Sequence, residues 1–141
     1  MHKKIITLIF SLFYLPIALS ASVTGKWVTI DDKTNQKRAV VNITESKNGF
    51  RGKIIEVFPK PGDTGICSKC PGKFKDKPIK GLTFLWGMKK SGKNTWDGGK
   101  IMDPKTGKIY KAKMTLEGNK LFVRGYIGFS LIGRTQVWVR G

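Results

Sequence analysis

Apolar and polar residues alternate with a period of two along most of this chain, and no stretch carries apolar residues at helical spacing for long enough to define a helix. The apolar runs are short and are cut by turn residues. Residues 27–30 meet Asp31-Asp32-Lys33-Thr34-Asn35, residues 39–44 meet Lys47-Asn48-Gly49, and residues 51–58 meet Pro59, Pro61 and Gly62. An irregular segment, 60–80, precedes further runs at 82–88, 96–102, 109–116, 121–127 and 135–140. Asn48-Gly49 and the Asp103-Pro104-Lys105-Thr106-Gly107 stretch favour tight reversals, and Gly98-Gly99 predicts a bulge. The predicted fold is all-β: an eight-stranded antiparallel up-and-down β-barrel. A sandwich competes, but a Greek key needs a long return that these connections do not supply.

The first segment breaks the alternation. Lys3 and Lys4 lead into an almost wholly apolar run over 5–19, followed by Ser20, Ala21 and Ser22. A basic start, an apolar centre and small residues, with Ala18 and Ser20 at −3 and −1, predict a cleaved signal peptide over residues 1–20. The run is shorter than the roughly 20 apolar residues that span a membrane, and Pro16 interrupts it. Residues 21–141 then form one barrel domain with no transmembrane segment, secreted or periplasmic. Cleavage removes the one histidine, His2.

Period-two reading also assigns faces. Leu82, Phe84, Trp86 and Met88 share one face. Tyr110, Ala112, Met114 and Leu116 share another, and Lys111 and Lys113 opposite them turn that set inward. Phe84, Trp86, Met88, Tyr110 and Met114 are thus expected inside, lining either an adaptable apolar pocket or a solid core. Residues 121–127 read two ways. Leu121, Val123, Gly125 and Ile127 face inward and leave Arg124 outside; or Phe122, Arg124 and Tyr126 turn inward, with Arg124 and Tyr126 clamping a carboxylate or phosphate. An inward arginine without an anion is costly. The greasy run 126–133 either plugs the barrel or borders its mouth.

Composition narrows the chemistry. The 27 Lys+Arg against 9 Asp+Glu give a net charge of +18, while 40% hydrophobic residues exclude a disordered basic tail. Cys67 and Cys70 are the only cysteines. Zinc needs two further thiolate or imidazole ligands, so a local disulfide in an exported protein is expected, with no metal and no cofactor. Gly128-Phe129-Ser130-Leu131-Ile132-Gly133 misses the spacing of a nucleophile elbow, and Asp31, Asp32, Asp97 and Asp103 sit in turns. Catalysis is not expected. Lys69, Lys73, Lys75, Lys77 and Lys80 crowd one loop, and Lys89, Lys90 and Lys93 another. Such clusters draw anionic partners; export points away from nucleic acid and toward acidic lipid or glycan surfaces.

Gly25-Lys26-Trp27 at the first strand and Val137-Trp138-Val139-Arg140 at the last resemble the lipocalin and wider calycin superfamily, where a first-strand Trp packs beneath an Arg of the last strand. Gly25, Trp27 and Arg140 are the matching positions, with Arg134 an alternative partner. Lys77-Pro78-Ile79-Lys80-Gly81-Leu82, Trp96-Asp97-Gly98-Gly99-Lys100-Ile101, Asp103-Pro104, and Arg124-Gly125-Tyr126-Ile127-Gly128 through Gly133-Arg134-Thr135 are similar to a family of small exported bacterial proteins classed as a domain of unknown function with a lipocalin-like barrel. The resemblance implies fold and export more than activity. The cysteines depart from the usual lipocalin bridge, which ties the C-terminal tail to the barrel. Together these readings favour binding or carriage of a small amphipathic, anionic hydrophobic ligand such as a fatty acid. Phe84, Trp86, Met88, Tyr110, Met114 and Phe122 would line the pocket, and Arg124 and Tyr126 would hold the headgroup. The alternative is a solid-cored basic module that binds acidic lipids or glycans.

Overall fold

Strands form where the alternation places them: β1 Gly25–Ile30, β2 Lys37–Ser46, β3 Gly49–Val57, β4 Thr83–Lys90, β5 Thr95–Met102, β6 Ile109–Glu117, β7 Lys120–Tyr126 and β8 Gly133–Arg140. The computed structural model describes residues 3–14, 22–129 and 132–141. The expected cleavage positions Ala18 and Ser20, and Ser130 and Leu131 of the greasy run, lie outside the described residues. Residues 3–14 take no helix or strand and are exposed. Among the described residues, no helix is long and apolar enough to cross a membrane.

Each strand pairs antiparallel with the next, and β8 returns to β1, so the sheet closes into an up-and-down barrel. The meander fixes two ends. The lower end carries the β2–β3, β4–β5 and β6–β7 turns and the C-terminus; the upper end carries the β1–β2, β3–β4, β5–β6 and β7–β8 connections. The closing seam is short, pairing Trp27 with Arg140, Val28 with Val139 and Thr29 with Trp138. An arginine staples it at each end. Below, Arg140 donates to the carbonyls of Thr24 and Ser22, at 2.8 Å each. Above, Arg134 pairs with Asp32, its Nε lying 2.6 Å from Oδ2.

The lower half of the interior is solid. Trp27, Trp96, Trp138, Ile43, Leu85, Met88, Met114, Leu121 and Val123 are all at 2% exposure or less. Each such side chain contributes roughly 1.5–3 kcal/mol or more by leaving water. The bulge expected at Gly98-Gly99 is present, as the β5–β6 register shifts between Trp96 and Gly99. Gly99 faces Met88 and the backbone of Trp86 so closely that a methyl group there would collide with both. Strand β4 departs further from alternation. Its pairing with β3 slips between Phe50 and Gly52 and again between Gly52 and Lys53, so Phe84 and Leu85 are both buried, side by side.

The long β3–β4 connection caps part of the upper end. Its one regular turn is a 3-10 helix, Gly72–Phe74. Cys67 and Cys70 are disulfide-bonded and buried, with both sulfurs 3.8 Å from the Pro104 carbonyl of the β5–β6 turn. Two ion pairs moor the connection to the first hairpin, Lys60 with Asp31 at 2.6 Å and Arg38 with Asp63 at 3.0 Å.

Candidate functional site

Cross-strand partners share a face, so the register locates every residue expected at the site. Met114 pairs with Val123 and with Trp96, and Met88 pairs with Phe50. Both methionines point inward, but they belong to the packed lower core. Phe84 is inward and 7% exposed, its ring 5.8 Å from that of Trp138. Tyr110 is inward and half-buried, paired with Ile101. Of the inward set, only Phe84 and Tyr110 stand toward the upper end.

Four expected lining residues face the other way. Trp86 pairs with the exposed Lys100, and its ring stacks on Phe74 of the long connection at 5.9 Å; the slips in β4 turn it outward. Phe122 pairs with Thr115, Arg124 with Lys113 and Tyr126 with Lys111. Because Leu121 and Val123 take the interior, the alternation of β7 places Phe122, Arg124 and Tyr126 on the outer wall. The inward clamp of Arg124 and Tyr126 does not form. Arg124 instead donates to Thr135 Oγ1 at 2.9 Å. Tyr126 bonds Asp97; partial desolvation, and then that carboxylate, push its phenol above the ordinary range. The described apolar residues of the greasy run do not plug the barrel: Ile127, Phe129 and Ile132 are 61%, 80% and 67% exposed.

The register also reveals inward groups that the face reading missed. Counting back in twos from the buried Trp138 gives Gln136, paired with Val123, and Arg134, paired with Gly125. A methyl on Gly125 would meet Ile101 and Tyr110, so these two side chains occupy the interior in front of it. The inward residues toward the upper end are thus Phe84, Ile101, Tyr110 and Gln136 with Arg134 at the lip, a set termed the upper cup. In contrast with the lower half, Ile101, Tyr110 and Gln136 are only half-buried. Gln136 Oε1 accepts from Trp138 Nε1 at 3.2 Å, which gives the floor of the cup a polar edge.

Electrostatics ring the lip. The Arg134 guanidinium holds the Asp32 carboxyl below the usual range, and Asp32 in turn raises Arg134. Asp31 is held low by the Lys60 ammonium and then by the N–H groups of Lys33 and Thr34. Asp63 is lowered by the Lys60 N–H and by Arg38. Beyond these charges lies apolar surface. Apart from residues 3–14, the exposed large hydrophobic side chains among the described residues are Ile66, Ile109, Ile127, Phe129 and Ile132, and all stand at the upper end. No three of His, Cys, Asp and Glu among the described residues come together as metal ligands.

At the lower end, Arg140 lies over the Trp27 indole at 4.0 Å from the ring centroid, and Trp27 Nε1 donates to the Val23 carbonyl at 2.9 Å. Gly25, with φ +111°, leaves the space that Nη1 of Arg140 occupies. The guanidinium satisfies two carbonyls of the N-terminal approach while its face meets the ring, an arrangement that lysine cannot copy.

Comparison with known proteins agrees with this architecture. No curated protein matches the chain. A solved structure, protein HP1028 from the human pathogen Helicobacter pylori, described as belonging to the lipocalin family, superposes with a TM-score of 0.73 at 22% identity. The match covers 85% of this chain and 83% of that one; at such identity the likeness is one of fold. A family model described as an uncharacterized protein conserved in bacteria (DUF2147) matches residues 25–140. The chain belongs to that bacterial domain-of-unknown-function family, and its barrel is lipocalin-like.

Proposed function

We propose that this protein, once exported, binds an amphipathic anionic molecule in the shallow upper cup rather than deep in the barrel. The observation that carries this reading is the asymmetry of the interior: three fully buried indoles close the lower half, while Ile101, Tyr110 and Gln136 toward the upper end are only half-buried and Arg134 stands exposed at the lip. An apolar chain would lie against Phe84, Ile101 and Tyr110 and over the rim of Ile127, Phe129 and Ile132. Its acidic group would exchange with Asp32 for the Arg134 fork, since guanidinium binds carboxylate bidentately. No catalytic step is part of this reading.

A fluorescent fatty acid and its methyl ester test it. The wild type is expected to take up both and to prefer the acid. Arg134→Gln should weaken the acid about tenfold, equivalent to roughly 1.4 kcal/mol, and leave the ester within twofold. No uptake of either probe, or equal loss of both, overturns the cup. Export is tested separately by intact mass: the native protein should begin near Ala21, and retention of residues 1–20 overturns it.

A further inference from the structure

A different surface, on the outer wall, gathers positive charge without neutralising it. The outward row Asn42–Lys53–Thr83 runs across β2, β3 and β4, with Thr44 and Arg51 paired beside it. Against this row stand two adjoining depressions of about 300 and 360 Å³ that share Gly81 and Thr83. Arg51 and Lys53 line one, and Lys73, Lys77 and Lys80 line the other. No carboxylate lines either depression. The ion pairs among the described residues use Arg38, Lys60 and Arg134 at the rim and none of these five cations. Like charges so close repel one another, and an anionic ligand would relieve that repulsion.

The groove also has an apolar floor, of Phe74, Pro78 and Leu82. Phe74 is buttressed from beneath by the outward-turned Trp86, with the rings 25° from parallel, and the Lys73 ammonium lies 5.2 Å from the Phe74 ring. A flat apolar patch between cations and neutral hydrogen-bonding groups (Asn42, Thr44, Thr83) suits a chain of sugar rings: C–H faces on the patch, hydroxyls on the amide and hydroxyl groups, acidic groups on the lysines. Arg51 and Lys53, two apart on β3, stand about 6.6 Å apart, and Lys73, Lys77 and Lys80 line the adjoining depression, so the charge is spread over both depressions rather than gathered at one point. A planar bilayer could not follow the wall into the depression. We infer that this groove binds an acidic polysaccharide, independently of the upper cup.

The test uses the mature protein and a uronic-acid oligosaccharide, with a neutral oligosaccharide, single-stranded DNA and anionic-lipid vesicles as comparators. The uronate is expected to bind by calorimetry, more weakly as salt rises, and more tightly than any comparator. The triple variant K73E/K77E/K80E should lose at least tenfold in affinity. K89E/K90E/K93E, which changes net charge equally at the lower turn, should lose less than threefold. Phe74→Ala, which alters no charge, should cost severalfold, and Arg134→Gln should cost nothing. Equal loss in the two triple variants would reduce the effect to bulk charge and overturn the groove. Tighter binding of DNA or vesicles, or of the neutral sugar, would overturn the polysaccharide. Thermal melts of each variant separate lost affinity from lost fold, and Phe74→Ala and Lys53→Glu serve if a triple variant does not fold.

Discussion

Three indoles share the lower barrel but not the same polar environment. Trp27 Nε1 donates to Val23 and Trp138 Nε1 to Gln136, whereas Trp96 Nε1 is buried with no hydrogen-bond partner. An unsatisfied buried donor costs about 1–3 kcal/mol, so replacing each ring by phenylalanine separates packing from hydrogen bonding. Trp138→Phe is expected to destabilise by about 1 kcal/mol more than Trp96→Phe, because it loses a bond as well as volume. Urea unfolding of the two variants reads the difference, and equal losses would remove the penalty assigned to Trp96. At this scale the sequence was legible where alternation held. Met114 and Tyr110 took their expected faces, and Arg134 and Gln136 could have been found by counting back from Trp138. Trp86 could not, since its orientation depends on two register slips that no local residue pattern announces.

The upper connections are joined to the barrel by carboxylates: Asp31 to Lys60, Asp63 to Arg38, Asp32 to Arg134. All three acids titrate below their ordinary range in the fold. A depressed carboxyl stabilises the folded arrangement above its unfolded pKa, near 4, and that contribution fades as pH falls through the lower folded value. Acidification from pH 5 to about 2.5 is therefore expected to loosen the rim before it melts the barrel. Protection against amide exchange, relative to the intrinsic rate at each pH, should fall at Lys33, Thr34 and Lys60, whose N–H groups bond Asp31 and Asp63, and stay high along β6. An Asp31→Asn/Asp63→Asn variant should show fast rim exchange already at pH 5. Uniform loss of protection across both regions would mean that rim and barrel open as one unit. The strands themselves were readable because turn chemistry and period two agree at most of them, β4 being the exception. The mooring of the 60–80 segment was not, because it joins residues 25 and 29 positions apart whose charges look, one at a time, like ordinary solvated groups.

The whole molecule is a barrel solid at one end and cupped at the other, wearing unneutralised charge on one side of its wall. That polarity needs the closed sheet, and closure is its most demanding step: Trp27 must find Arg140 across nearly the full length of the folded chain, for a junction of three residue pairs. Pairings so remote in sequence slow folding, and the entropy of closing that loop is recovered only at the end. The seam also brings the approach to the first strand and the end of the last together, since Arg140 reaches Ser22 and the Gly141 N–H bonds Lys26. A circular permutant that tethers Gly141 to Ser22 by a few glycines and opens the Lys90–Thr95 reversal would turn this three-pair junction into a local hairpin and pass the remote closure to β4 and β5, which pair at four registered positions. It is expected to refold severalfold faster than the native order in stopped-flow fluorescence; an unchanged rate would place the slow step elsewhere.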